Sequence, residues 1–319
     1  MLPWQQFGGM AIMEPKECFK VEKISLRGPG VVILTGPSSC GKGEVAAALS
    51  QVMSVPRRNH LSMGEILRST VTQARENAEF AELLATRYQI SAANNLFDCA
   101  DTSPELSVKV HKHLPRMEVY FKRRDMQQFT SQLDWLEYCT MNGLLVPDRW
   151  TQSFIAAHIE HEARFRHEPF IIDGYPRTVA AAEHLLGFLD SQGIPVIKVL
   201  HLSISKQEMI SRASGRGRSD DSREALLSRF QFYIEHVQPS VDYMKTVLGH
   251  EAIALLDAHQ PVYTTLANGE KQLDLPRSIT RVAAVALRSL GVPRVIVRDM
   301  FDELLQQRWA QDEASSDNS

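Results

Sequence analysis

Cysteine is scarce in this chain of 319 residues: Cys18, Cys40, Cys99 and Cys139 stand 22, 59 and 40 residues apart. That spacing holds neither a CxxC pair nor a ladder of thiols, which argues against a disulfide framework and for a reducing compartment. Long uncharged apolar runs are missing too; none approaches the roughly 18–20 residues a membrane helix needs. An excess of charge of either sign is also lacking. Lys plus Arg number 35 and Asp plus Glu 38, a net charge of −3, so neither nucleic acid nor an anionic membrane is an expected partner. Residues 1–13 have no basic segment and no continuous apolar stretch, and do not read as a signal peptide. A secreted, membrane-spanning or disordered chain is thereby set aside, and a cytoplasmic location is expected. With 44% hydrophobic residues, the chain can bury a substantial core as one large domain or two modest ones.

The first structured signal is Val31-Val32-Ile33-Leu34-Thr35, a β-branched apolar run suited to a buried parallel strand. It leads into Gly36-Pro37-Ser38-Ser39-Cys40-Gly41-Lys42-Gly43 and then the helix-forming stretch from Glu44 to Val52. The spacing is GxxxxGK. Glycines there allow backbone N–H groups to converge on phosphate oxygens, the helix adds its positive N-terminal dipole, and Lys42 brings an ammonium to the β- and γ-phosphates. Further strands are predicted at Phe170–Asp173, Val196–Leu202 and Ala252–Leu256, with helices over 148–165, 178–191, 205–213 and 222–247. Such alternation predicts an α/β domain with a mostly parallel sheet. Residues 1–29 read as a loose extension, 70–142 as polar and mostly helical, and the tail from Ala310 as acidic and serine-rich. Residues 275–290 suit a closing helix. The stretch Val292–Gln307 suits a strand or turn with an amphipathic helix, a contact surface for a second subunit. Monomer and homodimer both stay open.

The residue after the lysine is Gly43 rather than Ser or Thr, and the GKG pattern resembles that of nucleoside monophosphate kinases. Other segments extend the likeness. His60 to Arg68, HLSMGEILR, resembles the adenylate kinase HLSTGDLLR. Gly143 to Asp148, GLLVPD, resembles that family's G-x-LVPD, and Phe170 to Thr178, FIIDGYPRT, its F-L-[IL]-DGFPRT. Arg212 to Arg229, RASGRGRSDDSREALLSR, resembles its short lid, with arginines six and eleven residues apart. In this order, over about 30–260, these segments identify the chain as a divergent member of the adenylate kinase family. The resemblance implies a P-loop kinase fold, doubly wound about a parallel sheet. Its expected parts are a kinase domain over 30–290, an acceptor-binding part over about 60–147 with an insertion over about 75–135, a short lid over about 212–222, and an extension over 291–319.

The implied reaction is phosphoryl transfer from MgATP to a nucleoside monophosphate, which asks a protein chiefly for positioning and positive charge. By resemblance, residues 36–44 and Arg212 bind ATP. Met63, Arg68, Val146, Gly174, Arg177, Ala181, Arg218 and Arg229 face the acceptor. Lys42, Arg177, Arg212, Arg218 and Arg229 surround the transferring group. Asp173, at a strand end, would hold Mg2+ through water or is a helix N-cap or turn aspartate; Asp220 and Asp221 would pair with lid arginines or stand solvated at the N-terminus of the helix over 222–247. Glu44 replaces the family's threonine and either assists Mg2+ or repels the donor. Met63 and Ala181 replace a threonine and a glutamine that touch the acceptor, so the acceptor pocket is expected to be less polar and AMP is one acceptor among several to consider, CMP and UMP included. A catalytically weak nucleotide binder is the other reading.

Arg68 and Gly143 are 75 residues apart, where the resemblance implies a span about a quarter to a third as long. Inside that stretch His111, Lys112, His113, Arg116, Lys122, Arg123 and Arg124 form a basic run with Tyr120 and Phe121. It is either an extra anionic contact or a solvated helical face. Cys40, beside a helix start, is either a thiol of lowered pKa or an inert loop residue.

Overall fold

A computed structural model describes residues 24–91, 117–125, 127, 131–141, 146, 148–216, 223–266, 269–298 and 300–301, Arg216 by its backbone alone. Five parallel strands form one sheet in the order β2-β3-β1-β4-β5: β1 Gly30–Thr35, β2 His60–Ser62, β3 Pro169–Asp173, β4 Val196–Ser203 and β5 Ile253–Asp257. Side chains alternate across a strand, and both faces of β1 are buried. Val31 and Ile33 join one apolar cluster, Val32 and Leu34 another. That two-sided burial is why the run is apolar without alternation.

Helix α1 (Lys42–Val52) and helix α11 (Leu275–Ser289) cover the face of Val32 and Leu34. The opposite face is covered by α2 (Met63–Glu76), α6 (Asp148–His161), α7 (Val179–Ser191) and α10 (Gln238–Leu248). Onto α2 and α6 pack α3 (Ala78–Thr86) and α5 (Gln132–Met141), with α4 (117–124) against α5, and Phe80, Leu84, Trp135, Leu136 and Tyr138 extend the same cluster. The arrangement is an α/β P-loop kinase fold with helical insertions.

The predicted strands hold to within a residue or two. The helix expected over 148–165 stops at His161, and a 3-10 turn, Ala163–Arg166, follows. The helix expected over 222–247 is three pieces. They are α9 (Arg223–Phe232), a π turn Tyr233–Val237, and α10; α8 (Lys206–Arg216) precedes them. The short strand β2 and a hairpin, β6 (Tyr263–Thr265) with β7 (Lys271–Leu273), were not foreseen. Three residues cannot display a period, and the hairpin is exposed and mixed in polarity. No described helix is long and apolar enough to cross a membrane.

Candidate active site

After Thr35 the chain turns sharply into α1. Gly36 makes the turn at φ 144°, where a Cβ would lie 2.3 Å from the Leu202 carbonyl oxygen. Only glycine fits there. Gly41 closes the loop at φ 88°, immediately before α1. Lys42 folds back over the loop, its Nζ donating to the carbonyls of Gly36 at 3.1 Å and Pro37 at 2.7 Å. Pro37 and Ser38 face a cavity, whereas Ser39 Oγ is turned inward without a partner and Cys40 is buried among the core residues of α1. Burial pushes the Cys40 thiol up despite the neighbouring Lys42. That direction is opposite to the lowered pKa considered for it.

One strand away, Asp173 ends β3 opposite Leu34. The next amide, Gly174 N–H, donates to the Leu34 carbonyl at 3.1 Å, fixing the Gly174–Arg177 turn beside the phosphate loop. Asp173 is buried; its Oδ1 has no hydrogen-bond partner, and its Oδ2 lies 3.9 Å from His60 Nε2. Burial pushes this carboxyl up, while Lys42, His60 and Arg177 draw it down. A buried carboxylate oxygen left unpaired beside a phosphate loop suits a hydrated Mg2+, whose other ligands would be phosphates and water. No cluster of three His, Cys, Asp or Glu able to hold a metal occurs among the described residues. Glu44, exposed on the first turn of α1, adds negative charge near Asp173.

Arg177 donates from Nε to the Gly174 carbonyl at 2.8 Å. It meets Lys42 and Arg229 around a cavity of about 410 Å³ walled by the phosphate loop, the Gly174–Arg177 turn and the α9–π-turn segment. Three of the six expected cations thus share one space. Arg68 and Arg212 do not line it. Arg68 is exposed on α2 with its guanidinium over Gly64, where a Cβ would stand 3.3 Å from Nη1. Arg212 lies within α8, its Nε bonded to Glu208 at 2.6 Å and its Nη2 to the Ala258 carbonyl at 2.9 Å. Arg218, with Asp220 and Asp221, lies outside the described residues.

The residues expected to shape the acceptor pocket are apolar neighbours. Met63 and Ala181 are 2% and 1% exposed, and Val146 packs against the same cluster. Ala181 sits in the first turn of α7, its N–H donating to Thr178 Oγ1. Of the basic run, Lys122 and Arg123 are exposed, Arg124 pairs with Glu137 at 2.8 Å, and Tyr120 is buried. The remainder of the run, 111–116, lies outside the described residues. Sequence reasoning missed Phe232, Tyr233 and Val237 on the cavity wall. Tyr233 falls four residues after Arg229, on the same helical face, and that spacing was an available signal.

A family model described as adenylate kinase matches residues 120–248. The match covers β3, the Gly174–Arg177 turn and α9 but begins after the phosphate loop. An adenylate kinase of Mycobacterium sp. (strain MCS) is 26% identical over 260 residues, covering 82% of this chain and 98% of its own. One from Mycolicibacterium paratuberculosis is 28% identical over 230 residues, with 71% and 92% covered. One from Clostridioides difficile (strain 630) is 24% identical over 243 residues, with 66% and 85% covered.

Proposed function

We propose that this chain, a divergent member of the adenylate kinase family, transfers a phosphoryl group from ATP to a nucleoside monophosphate, giving ADP and a nucleoside diphosphate. The observation that carries the reading is the meeting of Lys42, Arg177 and Arg229 around one cavity floored by the phosphate loop. Phosphate oxygens of two substrates must be brought into line there, and their mutual repulsion is the obstacle. Backbone N–H groups within 36–44, Pro37 having none, would receive the ATP phosphates, with Lys42 on the β- and γ-phosphates. Arg177, its Nε already tied to the Gly174 carbonyl, would present its free edge to the acceptor phosphate, with Arg68 joining from α2. Arg229, together with Arg212 and Arg218, would neutralise charge on the group in transit and exclude water that would otherwise hydrolyse ATP. Asp173 would hold Mg2+ through water; when bound, the ion supplies charge neutralisation on the β- and γ-oxygens.

An acceptor other than AMP is favoured by one feature. The α7 position where the family carries a base-reading glutamine is Ala181, a methyl buried in the core, which offers no hydrogen bond to a base. The test is a diphosphate-production assay with MgATP against AMP, CMP, UMP, GMP and their deoxy forms, resolving ADP from acceptor diphosphate. Acceptor-dependent transfer is expected. Lys42→Ala should reduce it by roughly 10²–10³-fold, the scale of removing one preorganised cationic or hydrogen-bonding partner. ATP binding without transfer to any acceptor would end the kinase reading.

A further inference from the structure

Helix α9 carries Arg229 to the cavity, yet the helix itself is lightly held. Leu226 is its one buried residue, in a small cluster with Met209 and Ala213 of α8. By contrast α10, which continues the same chain, buries Ser240, Val241 and Met244, the last two in the main core. Between α9 and α10 lies the π turn Tyr233–Val237. A π turn replaces i→i−4 bonds by a wider and weaker pattern and tends to occur where function needs it. The attachment of α10 thus reaches α9 only through the π turn and the side chains on it.

A polar contact ties the end of α9 to the sheet. Tyr233 opens the π turn, and its hydroxyl stands 2.9 Å from Nε2 of His201 on β4. The two rings stack, 7° from parallel with centroids 5.8 Å apart, and both residues are buried. His201 in turn is in register with Thr35, the last residue of β1 before the phosphate loop. Tyr233 follows Arg229 by four residues and so lies on the same helical face. Tyr233, Arg229 and Thr35 all line the cavity.

We propose that His201 and Tyr233 form a positioning pair that references Arg229 to the strand end bearing the phosphate loop, so that the cation on α9 and the lysine on α1 stay in register. The inference rests on the phosphoryl-transfer reading for its substrates and deepens it by assigning two residues that act through Arg229. Breaking the hydrogen bond leaves the rings stacked but removes one tie between α9 and β4, and the direction in which α9 presents Arg229 shifts with it.

The experiment compares wild type, Tyr233→Phe, His201→Phe, Arg229→Ala and the Tyr233→Phe/Arg229→Ala double variant. Each is measured for kcat/KM with MgATP and, by calorimetry without acceptor, for MgATP affinity; thermal midpoints establish that each folds. Tyr233→Phe and His201→Phe are each expected to lower kcat/KM about tenfold and weaken MgATP binding about threefold, the scale of one lost hydrogen bond acting on a charged contact. In the Arg229→Ala background Tyr233→Phe should change either quantity less than twofold, because its effect passes through Arg229. Equal losses with and without Arg229 would make the pair merely structural and overturn the proposal, as would unchanged values in either single variant. Should wild type transfer to no acceptor, the kinase reading fails on its own, and the binding measurements still decide the pair by the same criterion.

Discussion

His158 shows how a single buried group can set the response of the whole chain to acid. It lies on α6 with its Nε2 3.1 Å from Thr70 Oγ1, and that hydroxyl spends its one proton on the Ile66 carbonyl at 2.7 Å. The imidazole must therefore be the donor to Thr70, neutral and protonated on Nε2. Burial, aided by nearby His161, lowers its pKa to about 4; burial and Lys42 lower that of His201 to about 4 as well. The sign follows from proton uptake. Below an ordinary histidine pKa of about 6.5 the unfolded chain binds protons that the native state refuses, so stability is full above that pH and falls as pH drops toward 4. Each histidine contributes on the order of 3 kcal/mol across that window. Urea unfolding between pH 7.5 and 4.5 should show the decline, and His158→Gln, which keeps a donor for Thr70, should make it shallower. Parallel curves for the two proteins would contradict this assignment.

Among elements, the junction of α6 and α7 depends on one side chain. Thr178 Oγ1 accepts from the Ala181 N–H at 3.1 Å, capping α7, and donates to Asp148 Oδ2 at the start of α6 at 2.5 Å. Thr178→Val preserves shape but removes both bonds. It is expected to cost about 2 kcal/mol in chemical unfolding, a cap plus a bond to a carboxylate, while Thr178→Ser should recover most of the loss. The same scale explains what could be read beforehand. The strand–loop–helix around Lys42 was legible because its instructions are local: an apolar run, glycines at fixed offsets, a helix-forming tail. Arg212 was harder. Its partner Glu208 one turn earlier was readable from the i, i+4 spacing, but the Ala258 carbonyl lies just past the end of a distant strand. The π turn within 222–247 left no mark in the polarity pattern, since one extra residue shifts the face without interrupting it.

For the molecule as a whole, the cavity wall comes from three separate parts of the chain, the phosphate loop, the turn after β3 and α9. A ligand spanning donor and acceptor positions, such as two nucleosides joined through a chain of phosphates, would bridge all three. Any ligand that binds the native state alone raises stability by RT ln(1 + [L]/Kd), about 2.7 kcal/mol at a hundredfold excess over Kd. At equal concentration such a compound is expected to raise the thermal midpoint more than MgATP or a nucleoside monophosphate alone, with the increment lost in Lys42→Ala. Equal shifts for the joined and single ligands would mean that the cavity accepts one nucleotide only.

The amino-acid sequence by itself determined the α/β alternation, the phosphate loop and the order of its companion segments, because each is written within a few consecutive residues. Gly36 is a clear case: the sequence marks it by spacing, although the Leu202 carbonyl that forbids a side chain there belongs to another strand. Which cations share the cavity was decided only by tertiary structure. Arg177 and Arg229 are brought to Lys42 by the parallel register of β3 and β1 and by the seat of α9, whereas Arg212 is bonded to Glu208 and Arg68 stands exposed on α2. Strand register and helix azimuth depend on packing between segments more than a hundred residues apart, and no local pattern encodes them.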